Sequence, residues 1–201
     1  MTKSKKKAVY WAAVIVLAAA IVILFGKSIF DYANEQYIRL THPMKYTEYV
    51  EKYAAEFEID PYLVYAVIKT ESGYDPDAVS NVGARGLMQI MESTFDWIKY
   101  RLDDDDTMTF DSMYDPESNI RYGCYLLGYL MRYYGTQDSA ICAYHAGIGN
   151  VDSWLENTEY SNDGVNLIKI PTSDTAHYLD KINNAEKNYI KLYKTEVEQN
   201  G

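Results

Sequence analysis

The chain has 201 residues, 48% hydrophobic and 24% charged, with only 11 Gly and 5 Pro. That composition suits one ordinary globular domain with an appendage and excludes low-complexity sequence. The formal charge is −10, and Lys3, Lys5, Lys6 and Lys7 precede every acid, so residues 8–201 carry −14; a body this acidic argues against nucleic-acid binding, which needs a basic face.

In chain order, residues 1–7 form a basic tail, and residues 8–25 are uncharged and mostly apolar. Such a run matches the about 17–25 residues that a helix needs to cross the hydrocarbon core. Lysines crowd its N-terminal flank, and the positive-inside rule then keeps residues 1–7 in the cytoplasm. A cleaved signal peptide is the competing reading. Its apolar region is usually shorter and ends at a small-x-small site, whereas Ala18-Ala19-Ala20 is followed by five more apolar residues. The expectation is an uncleaved single-span anchor over 8–26, with everything after it on the outer face. Residues 27–45 are expected to be a juxtamembrane spacer and residues 46–195 one α-helical domain.

No period-2 strand pattern is present, while helical signals recur. KYTEYVEKYAAEF predicts a helix starting near Thr47. Asp60-Pro61 is a helix opening, with Asp as N-cap and Pro in the first turn; that helix runs to about Ser72 and stops at Gly73. GARGLMQIM is a glycine-punctuated turn feeding a short apolar segment. STFDWIKYRL predicts another helix, with Ser93 as its cap. Asp103–Asp106 lacks the spaced ligands and central Gly of a calcium loop and is expected to be a solvated loop. Asp115-Pro116 repeats the helix-opening device, and its helix extends to Tyr134 before Gly135. Two short helices are expected over 138–146 and 149–156, then a polar loop to 170. Pro171-Thr172-Ser173 opens a last helix reaching the low 190s. Cys124 falls in step with Ile120, Leu127 and Met131, and Cys142 lies in AICAY, so two buried thiols are expected, with a disulfide as the alternative. Most of the 21 tyrosines are expected to fill half-buried helix positions, although extra tyrosines also suit a sugar-binding groove.

The stretch IKTESGYDP poses a chemical question. Leu63, Val67 and Glu71 are spaced by four and share a helix face, which places a carboxyl group where apolar side chains point. Burial disfavours the charged form, and the negative end of the helix pushes the same way. A carboxyl kept protonated near neutral pH is what a general acid needs, and glycoside cleavage is a familiar use of one. By itself the pattern is more commonly that of a solvated glutamate at a helix end.

Further along, GARGLMQI, AYHAGIGNV and the tyrosine of TAHYLDKI follow ESGYDP in order. Together these resemble the soluble lytic transglycosylase catalytic domain, over about residues 46–185. The resemblance implies an all-α fold, the lysozyme-like helical domain shared with goose-type lysozyme, here preceded by one N-terminal transmembrane helix. It implies a peptidoglycan lytic transglycosylase of the bacterial cell membrane, with its catalytic domain facing the wall. Such an enzyme cleaves the MurNAc-β-1,4-GlcNAc bond without water and leaves 1,6-anhydro-MurNAc ends. Glu71 would be the single acid/base. Ser72, Met88, Gln89, Tyr144, His145 and Tyr178 would bind substrate, with Tyr178 near the acid. No metal or other cofactor is implied; the partners would be glycan strands, the membrane and an envelope-complex protein. Two departures stand out: the family's Asn in AYNAG is His145 here, and the Glu of its ETxxYV segment is Asp174. His145 either takes over a substrate contact or packs. No second acid stands out beside Glu71, and Asp75-Pro76 reads as a turn and the cap of a next helix. A hydrolytic muramidase and a non-catalytic wall-binding module of an envelope machine are the alternatives.

Overall fold

In a computed structural model, which describes residues 3–104 and 107–194, the regular elements are helices. Three isolated bridges are the only β pairings among the described residues. The chain divides into two compact units, Met1–Pro43 and Met44–Gly201.

The first unit is one helix, α1, Lys3–Thr41, 39 residues long. It contains an 18-residue window of mean hydropathy 2.7, none of it buried, and is long and apolar enough to cross a membrane. The segment expected as a spacer continues this helix without a break. No proline interrupts residues 3–41, and the first, Pro43, follows the helix end. Arg39 pairs with Glu35 one turn back at 2.8 Å.

The second unit packs α2 (Thr47–Glu56), α3 (Pro61–Ser72), α4 (Glu92–Leu102), α5 (Pro116–Tyr134), α6 (Gln137–Ala146), α7 (Ile148–Glu156) and α8 (Ser173–Tyr189) around one core. Asp60 caps α3 by accepting from the Tyr62 amide at 2.8 Å, with Pro61 in the first turn. Asp115 caps α5 in the same way through Ser118. Leu63 to Ile68 are all buried, so α3 is apolar around its whole circumference and forms the centre of the unit. It packs between α2 and α8, while α5 packs against α2, α4 and α6. Tyr65, Tyr122 and Tyr189 are among the largest fully buried side chains, deeper than the half-buried positions expected of most tyrosines.

Several local expectations are corrected. Met91, not Ser93, precedes α4, which starts at Glu92, an acid favoured at the positive helix end. Gly147 alone separates α6 from α7, and Gly149 lies inside α7. Pro171 precedes α8, whose cap position is Thr172, and a π-helical turn over Ile190–Lys194 follows. Asp75 accepts from the Asp77 amide in a turn, but no helix follows before α4. In the acidic run Asp104 is held rather than solvated: both its oxygens take Arg121 at 2.8 Å, and one takes the Tyr122 hydroxyl at 2.7 Å. Asp105 and Asp106 lie outside the described residues. Cys124 and Cys142 are free buried thiols, and burial pushes Cys142 up to about 12.

Candidate active site

The last turn of α3 carries Glu71 one turn beyond Val67, in line with the buried Leu63 and Val67. Beyond the core this stripe meets α8 and the end of α6. There it opens into a cleft of about 610 Å³, lined by Thr70 and Glu71 of α3, His145 of α6, and Asp174, His177, Tyr178 and Lys181 of α8. The Tyr178 hydroxyl donates to Glu71 Oε1 at 2.6 Å. Burial pushes the Glu71 carboxyl up to about 7, and the Tyr178 hydrogen bond pulls the other way, because it favours the carboxylate. The sequence singled out no second acid, but the fold brings Asp174 to the same cleft.

The GLMQ strip is fixed from three helices. Gly86 has φ 74°, and a side chain there would collide with Asn119 and the Met113 carbonyl. Ser72 of α3 donates to the Leu87 carbonyl at 2.9 Å. Tyr144 of α6 donates to the Met88 carbonyl at 2.7 Å. Asn119 of α5 accepts from the Met88 amide at 2.7 Å and donates to the carbonyls of Arg85 and Met113. Met88 is fully buried, and its sulfur occupies the space that a side chain on Gly123 would need. Its side chain therefore supports the site from beneath. Gln89, at φ 50°, donates its amide to the carbonyls of Ala78 and Gly86. Tyr144 also lines a neighbouring cleft of about 340 Å³ together with Trp97 and Ile148.

His145 meets Tyr178 face on, with ring centroids 4.6 Å apart. The fold thus gathers Glu71, His145 and Tyr178 at one cleft, while Ser72, Met88, Gln89 and Tyr144 are tied together through the strip. Sequence reasoning passed over Asn119. A lone buried amide beside Ile120 on an otherwise apolar helix face was the available signal.

Residues 48–166 match the family model of the transglycosylase SLT domain. The chain belongs to this family. The soluble lytic murein transglycosylase of Escherichia coli K12 is 30% identical over 156 residues, covering 77% of this chain and 23% of the relative. A membrane-bound lytic murein transglycosylase C of Yersinia pestis is 31% identical, covering 72% and 46%. The crystal structure of the 70-kDa soluble lytic transglycosylase of Escherichia coli superposes with TM-score 0.69 at 26% identity, over 77% of this chain and 25% of that one. The chain therefore spans between about a quarter and a half of these relatives. The family match ends before α8, so Asp174, His177 and Tyr178 join the SLT domain's cleft through the packing of α8 on α3 and α6.

Proposed function

We propose that this chain is a peptidoglycan lytic transglycosylase, anchored by α1 with its catalytic unit facing the wall. The observation that carries the reading is the Glu71 carboxyl: half-buried at a helix end, open to a cleft, and pushed up to about 7. Such a group holds its proton near neutral pH and can deliver it. Glu71 donates that proton to the oxygen joining MurNAc to GlcNAc, and the C1–O bond breaks. The substrate's own acetamido oxygen steadies the positive charge at C1. The Glu71 carboxylate then accepts the proton of the MurNAc C6 hydroxyl, whose oxygen bonds to C1. The products are a 1,6-anhydro-MurNAc end and a free GlcNAc hydroxyl, with no water consumed. Tyr178, whose hydroxyl meets Glu71 Oε1, orients the acid. Gln89 and Tyr144 are proposed glycan contacts, His145 packs on Tyr178 rather than reaching the glycan, and Ser72 and Met88 shape the strip. Glycan strands are the substrate; a protein of an envelope complex is a further proposed partner.

Asp174 in the same cleft favours one second reading, in which it activates a water and the chain is a hydrolytic muramidase. Mass spectrometry of muropeptides released by the full chain separates the two. Anhydro products, lighter by one water and resistant to borohydride, with Glu71→Gln inactive and Asp174→Asn active, support the transglycosylase. Reducible ends, lost in Asp174→Asn, establish the hydrolase. Wild-type cleavage by Glu71→Gln overturns both, and absence of release by the wild type points to a wall-binding module.

A further inference from the structure

We propose that His145 is a positioning residue: its ring, stacked on Tyr178 and tethered to Thr175, holds the Tyr178 hydroxyl against Glu71. The inference rests on reading Glu71 as the acid, but its geometry stands separately. The two rings lie 27° from parallel with centroids 4.6 Å apart. His145 Nδ1 sits 3.1 Å from Thr175 Oγ1. That oxygen also accepts the Thr172 hydroxyl at 2.8 Å, and its second lone pair and its own proton let it meet Nδ1 in either imidazole tautomer. Thr175 is buried and lies one turn of α8 from Tyr178. The imidazole is thus pinned at a nitrogen and pressed on the phenol by a face, two restraints on one orientation.

The restraint matters because a phenol rotates about two bonds, whereas its 2.6 Å contact with Glu71 Oε1 requires one position. Tyr178 reaches Glu71 across the boundary between α8 and α3, and His145 comes from a third helix, α6. Asparagine, the residue of the family's AYNAG segment, has no ring to stack here. Burial lowers the His145 pKa, with Asp174 opposing. Glu71 from α3 and Asp174, His177, Tyr178 and Lys181 from α8 are the charged or titratable groups that line the cleft with it.

The test titrates the Glu71 side-chain carboxyl by NMR in the full chain, ¹³C-labelled at glutamate and held in detergent micelles. The signal is identified by its loss in Glu71→Gln. Tyr178→Phe removes a hydrogen bond that favours the carboxylate and raises the midpoint. His145→Ala is expected to raise it in the same direction and to reduce kcat on soluble glycan strands about tenfold at unchanged KM. His145→Phe keeps the stacking ring and is expected to restore most of both. In the Tyr178→Phe background, His145→Ala is expected to move the midpoint no further. The proposal is overturned if His145→Ala leaves the midpoint unchanged, if it shifts the midpoint equally in the two backgrounds, or if a folded His145→Phe rescues nothing. Should His145→Ala not fold, Thr175→Val, which loosens the same ring through Nδ1, carries the identical comparison. The midpoint is read without substrate, so it fails or stands apart from the catalytic reading, which Glu71→Gln decides by cleavage.

Discussion

At the scale of single residues, the proposed chemistry turns on where one proton sits. Glu71 must be protonated to act as an acid, so glycan cleavage is expected to fall as pH rises through about 7. Tyr178→Phe removes the hydrogen bond that favours the carboxylate. Its rate should drop while the alkaline limb of its pH–rate profile moves upward; a limb that moves downward contradicts the assignment. The same carboxyl affects stability. Its folded pKa is raised above the ordinary value of 4.5, so the folded state binds the proton more tightly than the unfolded chain does. The stabilisation that follows is complete below about pH 4.5 and disappears as pH rises through about 7. Across that window it amounts to about 3 kcal/mol. Glu71→Gln should lose this dependence. Urea unfolding of both proteins at pH 4.5 and pH 8 measures it as a gap in favour of the variant that opens only at the higher pH.

Among the elements, the strip from Gly86 to Ile90 is the part most dependent on distant partners. Asn119 alone supplies one acceptor and two donors to it and to Met113. Asn119→Ala would leave the buried Met88 amide without its acceptor and take a donor from the carbonyls of Met113 and of Arg85, which keeps the Ile90 amide at 3.0 Å, at a cost of about 3 kcal/mol. Urea unfolding of the full chain in micelles reads that loss; a cost within about 0.5 kcal/mol would mean the strip holds itself, as surface changes do. These dependencies also explain what was legible in the sequence. α3 and α5 could be read almost to the residue, because Asp-Pro and a trailing Gly are local signals acting through the first and last turns. Glu71 could be read from the i, i+4 spacing within α3. The strip could not, since Ser72, Asn119 and Tyr144 shape it from 15, 31 and 56 positions away. Nor could the stacking of His145 on Tyr178, or the arrival of Asp174 in the cleft that Glu71 lines, which both depend on how α8 packs. The helical stretch after Phe25 was missed for the opposite reason. Its apolar run ends there and Gly26 follows as a stop signal, yet α1 runs on through Gly26 to Thr41, and the first proline is Pro43.

For the whole molecule, the decisive asymmetry is four lysines before residue 8 against a body of −14. The lysines set the orientation of a span, because positive flanks stay in the cytoplasm, whereas acids contribute little. If α1 spans the membrane, Ser4 lies inside and the catalytic unit outside. The chain offers a clean chemical test. Both native cysteines are buried, and burial raises their thiols, so neither should react with a membrane-impermeant maleimide. Tyr100 is 84% exposed. In intact spheroplasts Tyr100→Cys should be labelled at once, and Ser4→Cys only after lysis, with the protein resisting alkaline carbonate extraction in both cases. Labelling of Ser4→Cys before lysis with Tyr100→Cys protected would invert the orientation and separate the proposed acid from the wall. Extraction by carbonate would show that α1 does not span, and the catalytic unit would then need another way to be held at its substrate.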